Sequence, residues 1–141
     1  MIRPATPDDL AEVTRIARAA YTVYVDELGP NLPPMVQDFS PDIAAGHLWV
    51  CEGGYICAKP MGKDWLIENV AVDPAYAGQG IGRRLMLAAE GAGRDLGFHR
   101  AVLYTNAAMT ANLMLYPRLG YTETHRVTEH NLHRVYFAKP L

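Results

Sequence analysis

The chain has 141 residues, half of them hydrophobic and a fifth charged, the composition of one ordinary globular domain over residues 1–141 rather than two. Thirteen basic residues against fifteen acidic ones give a formal charge of −2, which argues against a general nucleic-acid or anionic-membrane binder. Two cysteines are too few for a disulfide framework or a cysteine-rich zinc site, and no apolar run reaches the roughly eighteen residues of a membrane span, so a cytoplasmic, cofactor-using domain is the expectation.

Met1 to Ala5 reads as a short strand. Thr6-Pro7-Asp8-Asp9 then opens a helix, with a capping threonine, a first-turn proline and acids beside the positive helix end. Leu10, Val13, Ile16, Ala17, Ala20 and Tyr24 recur at helical spacing, and Leu28-Gly29-Pro30 stops the run. A second helix is expected over Met35 to Ala45. After Gly46 the period changes: His47 to Glu52 and Tyr55 to Ala58 flank Gly53-Gly54, the pattern of a two-residue hairpin turn. That register sets Val50 opposite Cys57 and Cys51 opposite Ile56, with the two cysteines on opposite faces and no disulfide between them. After a turn at Lys63-Asp64, the strand Trp65 to Val72 is apolar except for Glu68 and Asn69 and belongs in the sheet interior.

Gly80 to Leu96 reads as a helix with Leu85, Ala88, Ala89, Ala92 and Leu96 on one face, stopped by Gly97. A strand over Arg100 to Thr105, a helix over Met109 to Leu119 and an antiparallel pair, Tyr121 to Val127 with Leu132 to Lys139, complete the chain. The strands before and after the Gly80 helix should run parallel, because a helical crossover joins them. The expected class is therefore α/β, a mixed central sheet flanked by helices.

Val70-Ala71-Val72-Asp73-Pro74-Ala75-Tyr76-Ala77-Gly78-Gln79-Gly80-Ile81-Gly82-Arg83-Arg84-Leu85 is the most informative stretch. A buried strand enters a proline turn, and alternating glycines then open a helix. Such glycines let backbone approach a ligand, and the helix start offers unpaired N–H groups with a partial positive charge. Arg83 and Arg84 oppose the helix dipole, which suits a helix start beside phosphates. A Rossmann fingerprint needs glycine where Arg83 stands, and a P-loop needs Gly-Lys followed by Ser or Thr, a triplet this sequence lacks.

This stretch resembles the acetyl-CoA signature of the GNAT superfamily of N-acetyltransferases, Gln/Arg-x-x-Gly-x-Gly/Ala. Asn112-Leu113-Met114-Leu115-Tyr116-Pro117-Arg118-Leu119-Gly120-Tyr121 is similar to the same family's C-terminal helix motif, Tyr-x-x-x-Gly-Phe/Tyr. The element order agrees with that fold over nearly the whole chain. Two positions depart from the pattern. Ala77 stands where the signature has Gln or Arg, which removes one side-chain contact to phosphate. Met109 stands where an asparagine often lies, and Asn112, one helical turn along, can substitute for it on the pantetheine arm.

The resemblance implies direct transfer of acetyl from acetyl-CoA to a primary amine, and the balanced charge favours an amine of a small molecule (or peptide) as the acceptor. The implied cofactor contacts are the backbone of Val70, Ala71 and Val72, the turn Ala77, Gly78, Gln79, Gly80, Ile81, Gly82 and Arg83, and Asn112. It assigns Tyr116 as the acid that protonates the coenzyme thiolate. Glu68 is the one ionisable residue between Leu66 and Val72. Alternation puts it on the face of Leu66, Val70 and Val72, where burial would raise its pKa and suit it to act as the base. Tyr21, Tyr24, Asp26, Glu27 and Met35 fall where this family builds its acceptor pocket, with Tyr24, Glu27 and Met35 the expected substrate contacts. His130 and His133 have a metal-like spacing but straddle a turn and complete no ligand pattern with His125 or Glu129, so no metal is expected. A homodimer through the C-terminal strands is common in such folds. Three rival readings stay open: an acyl-CoA-binding module without useful catalysis, an acetyltransferase acting on protein N-termini or lysines, and a plain nucleotide binder.

Overall fold

The computed structural model describes residues 1–129 and 132–141; the expectation attached to His130 lies outside the described residues. The elements are β1 (Arg3–Pro4), α1 (Leu10–Tyr21), α2 (Val25–Leu28), α3 (Pro33–Val36), α4 (Ser40–Ala44), β2 (Leu48–Cys51), β3 (Gly54–Met61), β4 (Asp64–Val72), α5 (Ile81–Asp95), β5 (Arg100–Asn106), α6 (Thr110–Arg118), β6 (Thr122–Glu129) and β7 (Leu132–Pro140). The strands form one mixed sheet in the order β1-β2-β3-β4-β5-β7-β6, which is the α/β class expected and places β4 in the sheet interior. β4 and β5 run parallel, with Trp65 opposite Ala101 and Leu66 opposite Val102, as the α5 crossover requires. Contacts group the chain into two compact units, Met1–Ala58 with Asn69–Ala89, and Lys59–Glu68 with Glu90–Leu141.

In the first unit, Val13, Ile16 and Ala17 of α1 bury one helix face against Phe39, Ile43, Leu48, Val50, Tyr55, Cys57 and Ala71. The helix expected over Met35 to Ala45 is two short helices instead. Gln37 is extended (φ −69, ψ 141), and Pro41, which lacks an N–H, sits in the first turn of α4, the part of a helix that tolerates proline.

The hairpin register also differs from the expected one. Val50 faces Tyr55 and Leu48 faces Cys57, so the turn is Glu52-Gly53 and Gly54 already belongs to β3. A side chain at Gly54 would meet Ile81 Cγ2 at 2.9 Å and Leu85 Cδ1 at 3.0 Å, so β3 can lie under α5 only with glycine there. A two-residue slip preserves face parity. Cys51 and Cys57 therefore still fall on opposite faces, and both are free thiols.

In the second unit, β7 pairs antiparallel with both β5 and β6, and β3 runs on to Met61, past its expected end at Ala58. The core here holds a charge. Glu90 of α5 is 1% exposed, and its carboxylate accepts from Tyr121 Oη at 2.7 Å and Lys139 Nζ at 2.8 Å. Burial first, and then the bond to Glu90, push the Tyr121 hydroxyl pKa up. Leu96, expected on the buried face of α5, is 66% exposed beyond the helix end at Asp95.

Candidate active site

In the first unit, β4 delivers Val70, Ala71 and Val72 into the turn that begins at Asp73. Asp73 organises that turn. Its side chain accepts the Ala75 N–H at 3.0 Å and the Arg15 guanidinium at 2.7 Å, and its own N–H donates to the Gly53 carbonyl at 2.8 Å. The bond from Arg15, then that from Ala75, hold its carboxyl below the usual carboxylate range. The tie is therefore intact at neutral pH and is lost only as pH falls through the lowered value. A single 3-10 turn, Pro74–Tyr76, follows, and the Tyr76 hydroxyl donates to Glu52 at 3.1 Å.

Gly78 and Gly80 both take left-handed backbone, φ +80 and +74, which favours glycine. A Cβ at either would meet nothing within 4 Å, so the space over this backbone is open. Arg84 N–H makes a helical bond to the Gly80 carbonyl at 3.1 Å; the amides of Ile81, Gly82 and Arg83 lie ahead of it, at the positive helix end. Ile81 is buried and anchors this end, while Arg83 and Arg84 are exposed. Ala77, Gly78 and Gln79 are exposed too. Open backbone, amides ahead of the helical ladder and two guanidinium groups fit a pyrophosphate. Ala77 adds no donor.

The same unit places the acceptor candidates at the end of α1. Tyr21 and Tyr24 have ring centroids 6.4 Å apart, Arg18 reaches the Met35 carbonyl at 3.5 Å, and Glu27 is exposed. Sequence reasoning treated Asn69 only as a polar break in an apolar strand. It is 5% exposed, its Oδ1 accepts from Tyr21 Oη at 3.1 Å, and its Nδ2 is buried with no hydrogen-bond partner among the described residues. Such a donor costs about 1–3 kcal/mol when left unmade.

The second unit carries the other candidates. Tyr116 on α6 is 6% exposed, its ring packed against Tyr121 at 6.0 Å and Phe137 at 5.7 Å. Asn112 donates to Thr105 Oγ1 at 3.2 Å and Met109 Sδ at 3.7 Å, tying α6 to β5. Glu68 is part-buried and ion-paired with Lys59 at 2.5 Å. Lys59 was not singled out in the sequence; it lies six residues past Gly53, in a strand read as ending before it.

Residues 44–123 match the family described as "Acetyltransferase (GNAT) domain". A mycothiol acetyltransferase of Rhodococcus erythropolis is 29% identical over 139 residues, covering 84% of this chain and 45% of that protein; the chain thus spans about half its length. The uncharacterized N-acetyltransferase YjgM of Escherichia coli is 31% identical over 126 residues, covering 79% of this chain and 74% of that protein. Among solved structures, the PaiA N-acetyltransferase of Thermoplasma acidophilum in complex with coenzyme A superposes with a TM-score of 0.82 at 16% identity, over 100% of this chain and 98% of that one. That likeness is one of fold. Among the described residues, no helix is long and apolar enough to cross a membrane.

Proposed function

Because the chain belongs to the GNAT acetyltransferase family, we propose that it transfers the acetyl group of acetyl-CoA to a primary amine of a small molecule. The observation that carries this reading is the turn at Gly78 and Gly80, two left-handed glycines over which the space is open, leading directly into the first amides of α5. The amides of Gly78 to Arg83 and the Arg83 side chain hold the coenzyme pyrophosphate, and the backbone of Val70 to Val72 pairs with the pantetheine arm. Asn112 joins that arm by exchanging its bond to Thr105 for one to the ligand.

The amine nitrogen attacks the thioester carbonyl carbon, the C–S bond breaks as the tetrahedral adduct collapses, and Tyr116 Oη gives its proton to the departing sulfur, a proton restored to the phenol, through water, as the nitrogen of the adduct sheds its second proton to become the amide. An alkylammonium of pKa near 10.4 is neutral in only a small fraction at pH 7, a deficit of about 4.6 kcal/mol, so a group that accepts its proton speeds the reaction. Glu68 takes that proton, directly or through water, and Lys59 fixes its carboxylate in position. Tyr24, Glu27 and Met35 contact the acceptor.

Glu68→Gln is accordingly expected to lower kcat/KM about tenfold or more at pH 6–7, with the loss shrinking as pH approaches the amine pKa. A pH–rate profile parallel to that of the wild type would remove Glu68 from the proton path. The overall reading is tested by incubating the protein with acetyl-CoA and a panel of small amines. Free thiol and acetylated amine should appear in equal amounts, whereas a binding module gives neither above background.

A further inference from the structure

We propose that Asn69 is a specificity residue, and that its buried side-chain N–H selects acceptor amines carrying an oxygen acceptor, such as a carbonyl, next to the amine. This deepens the acetyl-transfer reading and rests on it for the turnover arm of its test.

Ala71 and Ala17 are both in the apolar core. One step out along the same faces, two residues earlier on β4 and one turn later on α1, stand Asn69 and Tyr21. An apolar pair would continue the core there without leaving a polar atom unmatched. The chain instead places an amide whose Oδ1 is fixed by the Tyr21 hydroxyl at 3.1 Å and whose Nδ2 has no partner among the described residues. The Tyr21 bond settles which edge of the amide is the acceptor and leaves Nδ2 as the unmatched donor. Tyr21 and Tyr24 are half-buried, so the side chain that holds the amide is itself open in part to the surface, beside residues assigned above to the acceptor.

An amide N–H complements a lone pair on oxygen and has nothing to offer an alkyl group. A buried donor left unmatched by the wrong ligand discriminates more strongly than an apolar contact does. A primary amine with a neighbouring carbonyl, the chemistry of an aminoacyl group, supplies that lone pair at short range from the nitrogen that reacts.

The test compares alaninamide with isopropylamine, which replaces the carboxamide by a methyl group, in the wild type and in Asn69→Leu. Leucine keeps the branched shape, in slightly larger form, and removes the donor. The wild-type-to-variant ratio for each amine cancels their different basicities. The expected result is a fall in kcat/KM for alaninamide of about tenfold to a hundredfold, mainly in KM, with isopropylamine changed less than about twofold and the melting temperature of the variant not lowered. A residue with a purely structural role would lower stability and act on both amines alike; that pattern, or no change for either amine, overturns the proposal.

A second readout needs no turnover. The Asn69 side-chain amide protons, assigned by their loss in Asn69→Leu, should shift on addition of alaninamide and not of isopropylamine. If no amine is acetylated but these protons shift, the transfer reading fails and the amide site stands. If they stay fixed while amines are acetylated, the site fails and the transfer reading stands.

Discussion

Replacing Tyr116 by phenylalanine is expected to lower kcat about a hundredfold while leaving acetyl-CoA affinity within about twofold. The ring stays: it packs against Tyr121 at 6.0 Å and Phe137 at 5.7 Å, and phenylalanine preserves both contacts. What is lost, on the proposed mechanism, is the proton that neutralises the departing sulfur. General acid catalysis contributes about a hundred- to ten-thousandfold. The lower end applies here, because a thiol of ordinary pKa near 8.5 is a better acid than a phenol near 10 and its thiolate leaves with modest help. Steady-state kinetics combined with acetyl-CoA titration checks this. Equal losses in affinity and turnover would mean that the substitution disturbs α6, and unchanged kinetics would remove Tyr116 from the chemistry.

Glu90→Ala is expected to destabilise the protein by about 3–5 kcal/mol, because it strands the Lys139 ammonium and the buried Tyr121 hydroxyl together. For a chain of this size that is a fall in melting temperature of about 10 °C or more. Glu90→Gln keeps an acceptor for Tyr121 and should cost less. Glu90→Leu combined with Lys139→Met removes both charges and should recover much of the loss, since a buried ion pair is often no more stable than apolar side chains of similar volume. Thermal or urea unfolding of the three variants separates these cases. A Glu90→Ala variant within about 1 kcal/mol of wild type would show that water already reaches this carboxylate.

The contrast between the two sites explains what the sequence could disclose. The glycine turn is contiguous, so the strand, the proline, the alternating glycines and the arginines that follow could be weighed together. Tyr116 likewise stands four residues from Gly120 in one short motif. The parallel β4–β5 pair followed from connectivity alone, whereas the insertion of β7 between β5 and β6 was not legible. The Glu90 cluster joins residues 31 and 49 positions apart, and within its helix Glu90 reads as an ordinary surface acid. Asn69 is similar: its partner Tyr21 is 48 residues away, and an unmatched amide becomes visible only when every neighbour is in place.

The β2–β3 slip has a different cause. Two adjacent glycines allow two turns, and the choice is made by Ile81 and Leu85 of a distant helix pressing on Gly54. In α3 and α4, Pro41 outweighed an otherwise helical stretch, a local signal that the reading of Met35 to Ala45 did not use.

The measurement that bears most directly on this account is a calorimetric titration of the protein with acetyl-CoA and, separately, with NAD and ATP. Gly80→Val serves as the control, since valine fills the open space over the turn and resists φ near +74. The account predicts saturable heat with acetyl-CoA alone, despite Ala77, and its weakening by about tenfold or more in Gly80→Val. No heat with acetyl-CoA, or equal heat with all three ligands, would contradict it.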